Sequence, residues 1–373
     1  MYKVAYLLPF GTVLVMLAMR QDLQHWWIYL IMLVCAELLL WLIRFIFNKH
    51  SDTEFLSGYV KSVHHEFPWV ERVERHETVY DSKGNAHTKV RVDYVRHPDA
   101  WYWVLNTGRR DGIGYSTFEY MCQRFGTGRH FEHVPHVNCV SGGDGEYCVW
   151  NGNEYDTQTV TYKHPYVNPI KNSHSIFNTS KITKERAKEL GLYRYPKIKG
   201  WDQEVVRSGD HFEWRQDFQE VLAAFQRLNA FCGINHQIHV YVLIFDANLH
   251  GVEIVESQRA YWEGGNKNEF VVCLGVEGAD KVVWSHSFSW MDFDAPSLSV
   301  ATRSYFIEHP NLDLLAFASW LRNNLDKWKR KEAKDFKYLG VNLSNVQTFF
   351  FMLIAVAFSA IIVWITIKSM GVL

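Results

Sequence analysis

A chain of 373 residues has room for one large domain or two ordinary ones, and its 48% hydrophobic and 16% aromatic content supplies packed cores, which excludes a mainly disordered protein. With 39 basic and 40 acidic side chains the formal charge is -1. That removes the general attraction by which proteins hold a polyanion, so nucleic acid is not an expected partner and any charge signal is local.

The apolar residues gather at the two ends. Residues 26–47 (WWIYLIMLVCAELLLWLIRFIF) and 348–367 each hold about the 20 residues that a helix needs to cross a bilayer core, and both are predicted as transmembrane helices. Residues 4–19 (VAYLLPFGTVLVMLAM) are fewer and include Pro9 and Gly11, so a signal-peptide core competes with a membrane helix. No small-x-small cleavage motif precedes RQDLQ, and a third, short transmembrane helix in a hairpin with the second is expected.

Cations flanking a span tend to remain cytoplasmic. Arg44, Lys49 and Lys61 follow the second span, and the run KWKRKEAKDFK at 327–337 precedes the last, against Arg20 and Lys368 on the other side. The expectation is a multi-pass membrane protein with its central region in the cytoplasm and its six cysteines reduced. The lysine-rich run suits anionic lipid as well as it suits a solvated stop at the membrane surface. Glu37 falls near the middle of the second span, where an ionised carboxylate costs at least ~2.5 kcal/mol. A neutral acid hydrogen-bonded across to Ser359 or Thr12 is preferred to proton handling, because no other ionisable residue shares its depth.

Residues 51–200 read as a β-rich subdomain. VERVERHETVY and HTKVRVDYV alternate apolar and polar residues around DSKGN, which predicts a hairpin, and HVNCVS, EYCVWNG and TQTVTYK are further strand candidates. TSKITKERAKELGLYRYP predicts a short capped helix that ends at Gly191, before Pro196. The stretch RHFEHVPHVNCVSGGDGEYC sets His130, His133, His136 and Cys139 three residues apart, with Cys148 beyond a glycine turn. Imidazole and thiolate are zinc ligands, so these five are the candidate zinc site. The spacing matches no zinc module, however, and on a strand His133 and His136 point to opposite faces, so strand histidines and packed thiols are the preferred reading.

From 201 to 340 the period changes. Apolar residues at helical spacing over 214–232 are followed by IHVYVLIFD, a buried strand, then by a helix, the strand EFVVCLGVEG, its partner KVVWSHSFSW, and a last helix within 312–328. This order predicts an α/β sandwich, a small sheet with helices packed on it, inside a membrane-anchored α+β protein.

The succession RLNAFCGINHQIHVYVLIFDA and ESQRAYWEGGNKNEFVVCLGV resembles the TPM-domain family over residues 212–330, with Trp262, Gly264, Gly265, Asn266 and Asn268 in the places of that family's Trp, Gly and turn residues. The resemblance implies accessory roles on or near membranes, with calcium binding or phosphate-ester hydrolysis in some members and most members facing a lumen or the cell exterior. Phosphate loops run from a strand into a helix N-terminus, whereas here the glycines close a helix and open a strand, so Gly264 and Gly265 are read as a structural turn. Asp246 ends the central strand, and with Asp292 and Asp294 in WMDFDAP it makes a candidate calcium site, against the alternative of caps and Asx turns. No nucleophile elbow, P-loop, HExxH or dinucleotide fingerprint occurs in the sequence. The expected function is that of an accessory or interaction module, partnered by the bilayer and by other membrane proteins or further copies. A membrane-bound phosphatase-type hydrolase is the alternative.

Overall fold

The computed structural model describes residues 2–19, 26–47, 51–80, 82–167, 182–210, 212–262, 268–289, 297–330, 343 and 345–369. They belong to a mixed α+β chain of two compact units, Met1–Glu54 with His164–Lys181 and Lys331–Leu373, and Phe55–Lys163 with Ile182–Arg330.

In chain order the first elements are helices α1 (Leu7–Met19) and α2 (Trp26–Phe47). Strands β1 (Ser51–Glu66), β2 (Trp69–Tyr80), β3 (Ala86–His97), β4 (Ala100–Leu105) and β5 (Arg110–Gly112) follow, then α3 (Tyr115–Phe125), β6 (His130–His133), β7 (Cys139–Gly142), β8 (Asp144–Val149) and β9 (Thr159–Val167). Next come α4 (Lys184–Glu189), β10 (Ile198–Lys199), β11 (Asp202–Gln203), β12 (Val206–Ser208), α5 (Phe218–Arg227), α6 (Ile234–His236), β13 (His239–Asp246) and α7 (Ile254–Tyr261). The chain continues through β14 (Glu269–Glu277), β15 (Lys281–Ser289), α8 (Ser297–Glu308), α9 (Leu314–Arg322) and α10 (Asn345–Ser369).

Among the described residues two helices, Trp26–Phe47 and Asn345–Lys368, are long and apolar enough to cross a membrane. The expected third span is corrected: α1 has 13 residues, a rise of about 20 Å against a hydrocarbon core of about 30 Å. Pro9 lacks an N–H and sits in its first turn, and Tyr2–Tyr6 before it winds as a tighter 3-10 helix. The three helices pack through Leu40, Phe351 and Ala355 at one level and Val13, Tyr29, Ala36 and Ile362 at another. Thr12 and Ser359 each donate to a carbonyl of their own helix, Leu8 at 2.8 Å and Ala355 at 3.0 Å. Among the described residues neither hydroxyl bonds across to Glu37.

In the other unit, β1 is the hub of a six-stranded sheet of order β5-β4-β1-β8-β6, with β9 also paired to β1. Val60, Val63 and Trp103 from this sheet close over Phe118, Met121, Cys122 and Phe125 of α3, an i, i+3, i+4, i+7 stripe that marks an amphipathic helix. The predicted hairpin forms as β2 and β3, paired from Trp69 with His97 to Tyr80 with Ala86. β7 pairs with only its base, at Trp69, Val70 and Glu71.

The α/β part has the order β12-β13-β14-β15, the first three parallel and β15 antiparallel. β13 and β14 are buried almost throughout, as strands covered on both faces must be. Two buried amides clamp this core. After α5 the chain makes a π turn over Leu228–Gly233, and there Asn229 accepts the Val240 N–H at 2.8 Å and donates to the Val240 carbonyl at 3.0 Å. Gln258 of α7 does the same for the Tyr193 backbone, at 2.8 and 2.9 Å.

Candidate functional site

A cleft of about 440 Å³ opens at the carboxyl ends of β12, β13 and β14. Parallel strands commonly present ligand sites at that end, because the loops leaving them splay apart above the sheet. Tyr193, Gly209, Phe212, Asp246, Asn248 and His250 line it. Asp246 is exposed, and its Oδ1 accepts from the Asn248 N–H at 2.8 Å and from the Asn248 side chain at 3.0 Å. This is an Asx turn, which anchors the carboxylate in the lining of the cleft. His250 is tied by its backbone, accepting from Trp284 Nε1 at 3.0 Å and donating to the Asp246 carbonyl at 3.0 Å. The Tyr193 hydroxyl donates to the Ile244 carbonyl, and burial pushes its phenol up, so Tyr193 remains a neutral donor. The arrangement offers one anchored carboxylate, one imidazole and backbone groups, a set suited to holding a polar or cationic ligand.

Of the predicted calcium set only Asp246 can be placed. Asp292, Asp294, Gly264 and Gly265 lie outside the described residues. Among the described residues no three His, Cys, Asp or Glu side chains are grouped to hold a metal ion.

The five candidate zinc ligands are not gathered. His130 rests against the Tyr147 ring at 5.4 Å, and His133 Nδ1 lies 2.9 Å from Asp144. His136 stacks on Trp69 at 4.0 Å, and His97 stacks on the same indole, also at 4.0 Å. Cys139 is held near its own turn carbonyls. Cys148 is bonded to Cys122, which corrects both its reading as a ligand and the expectation that all six cysteines are free. Helix α3 packs on the buried face of β8 and brings the two Cα atoms to 5.4 Å, within disulfide reach. Asn268, read from the sequence as a turn residue, is buried and donates to the Phe55 carbonyl, tying β14 to β1.

Sequence reasoning missed the two faces of β1. His64 stacks between Tyr102 at 4.9 Å and Tyr147 at 5.5 Å, with Nδ1 2.8 Å from Glu132. His65 stacks on Trp101 at 5.0 Å between Asp99 at 2.9 Å and Glu146 at 3.3 Å. Burial, then the nearby Glu66 and Glu132, push the Tyr102 phenol up to about 12. The available signal was the pair His64-His65 itself, since successive strand residues face opposite sides.

No family model, curated protein or solved structure matches the chain.

Proposed function

We propose that this is a membrane-anchored accessory protein whose central unit serves as an interaction module, the role its resemblance to the TPM-domain family implies. The observation that carries this reading is the β2–β3 hairpin. On β3, Val90, Val92 and Tyr94 alternate onto one face, with Val90 50% and Tyr94 66% exposed, while Lys89, Arg91 and Asp93 take the other. A two-stranded ribbon with water on both sides is marginally stable alone, and an apolar stripe at its surface is covered economically by a partner. Replacing residues 75–91 with an Asn-Gly turn, which leaves Glu74 paired with Val92, is expected to leave the melting temperature of the central unit unchanged and to remove the proteins that co-purify from native membranes in mild detergent. An unchanged set of co-purifying proteins sinks the reading.

A second reading, a phosphatase-type hydrolase, is favoured by one observation, the position of Asp246 at the carboxyl ends of parallel strands. Activity against a panel of phosphate esters that disappears in Asp246→Asn, with the fold intact, would establish it. Its absence across the panel favours the interaction module.

The bilayer is engaged through α2 and α10. The flanking cations favour a cytoplasmic central unit, and the Cys122–Cys148 disulfide favours an oxidising compartment. Charge acts during insertion, before the unit folds, whereas the Cys122–Cys148 contact follows from the packing of α3 on β8 in either compartment. Lys83→Cys should therefore resist an impermeant thiol reagent in intact cells while Asp22→Cys reacts. The opposite pattern reverses the orientation.

A further inference from the structure

Strand β15 is the outer strand of the four-stranded sheet, and its open side forms the floor of a groove of about 590 Å³ between α7 and α8. The groove is closed at one end, where the Val282 N–H donates to the Pro310 carbonyl and Lys281 bridges Asn311. Among the described residues no strand pairs with the remainder of that edge. An edge left open in this way presents unpaired backbone donors and acceptors to any extended segment that can lie along it.

The two walls differ in chemistry. On the α7 side stand Glu253 and Glu256, and on the α8 side Phe306 and Ile307 beside Arg303, with Ile307 70% and Val283 on the floor 53% exposed. A strand added to β15 projects alternate side chains toward the two walls, so it fits best if one face is basic and the other apolar. Among the described residues β3 is such a strand, with no strand on its outer edge: it carries Lys89 and Arg91 on one face, where Arg91 also pairs with Asp93 at 2.9 Å, and Val90 and Val92 on the other.

We propose that the β15 groove takes strand β3 of a second copy of this chain, with Lys89 and Arg91 facing Glu253 and Glu256 and with Val90 and Val92 facing Phe306 and Ile307. This rests on the hairpin being an interaction element and names what it meets. Strand and groove are different surfaces, so the contact is heterologous. The backbone ladder supplies affinity, and the charged wall selects the face of the incoming strand and suppresses the flipped pairing.

The test is sedimentation velocity of the full chain in detergent over a concentration series. Self-association of the wild type is expected, weakened at least about tenfold by Glu253→Lys with Glu256→Lys and equally by Lys89→Glu with Arg91→Glu. All four positions are at the surface, and wild-type melting temperatures confirm that the variants fold. Mixing the two reversed variants should restore association, since each then supplies the complement of the other. A monomeric wild type overturns the proposal, as does association that neither reversal weakens, the signature of contact through the membrane helices. Failure of the mixture to recover overturns it too. None of these outcomes touches the co-purification test of the hairpin, so the two readings fail separately.

Discussion

Gly275→Ala is expected to lower the melting temperature of the central unit by about 10 °C, from a loss of roughly 3 kcal/mol or more. Gly275 lies in the middle of β14 opposite Trp284 of β15. A Cβ added there would sit inside the indole ring, nearer than real Cβ contacts allow. The ring has little freedom to retreat. Its Nε1 donates to the His250 carbonyl at 3.0 Å, and its ring centre lies 6.1 Å from that of Phe245, itself buried in β13. The backbones of β14 and β15 would have to part, and their ladder would weaken with them. Adding Trp284→Leu to Gly275→Ala should recover part of the loss, because the smaller side chain vacates the space. Thermal unfolding followed by circular dichroism measures both. A single variant that melts like the wild type would show that Trp284 moves at little cost.

The second large effect is a loss of stability on acidification that is traceable to His239. This imidazole is fully buried, with Nε2 2.9 Å from Gln203 Oε1 and Nδ1 3.4 Å from the Ser57 hydroxyl, and burial pushes its pKa down to about 3. The folded protein therefore keeps His239 neutral at a pH where the unfolded chain, with a pKa near 6.5, accepts a proton. Below 6.5 the unfolded state binds more protons, so stability falls as pH falls toward 3, and above that range the contribution is complete. Between pH 7 and pH 5 the loss amounts to about 2 kcal/mol. Denaturant unfolding at the two pH values, compared with His239→Gln, isolates it, since glutamine does not titrate. The slope is the readout, so a variant of lower overall stability still decides the matter. Equal slopes in the two proteins would assign the acid sensitivity to other groups.

His239 and Gly275 show how little of the core's packing was legible in advance. Both lie in segments correctly read as strands, IHVYVLIFD and EFVVCLGVEG, because an apolar, β-branched run of that length has few other stable forms. Neither residue announced its role. The burial of His239 depends on Ser57 and Gln203, which arrive from β1 and β11, and the constraint on Gly275 comes from an indole on the next strand. Asp246 was legible as a strand end, and the Asx turn it forms is local. That it faces a cleft follows from distant segments, since Tyr193, Gly209, Phe212 and Gly278 close the lining around it.

What depends on near neighbours in the chain could be read from the residues alone. The apolar length of α2 and α10, the hairpin turned at DSKGN, and the α4 helix begun by Thr183 and closed near Gly191 at a φ of 64° all rest on local propensity, period and capping. What depends on distant segments meeting could not. The pairing of β1 with three strands, the bond between Cys122 and Cys148, the clamp of Asn229 on Val240 and the scattering of the five candidate zinc ligands were decided by packing. Sheet pairing and side-chain convergence are set by which apolar faces bury one another across the whole unit, and no window of ten or twenty residues carries that information.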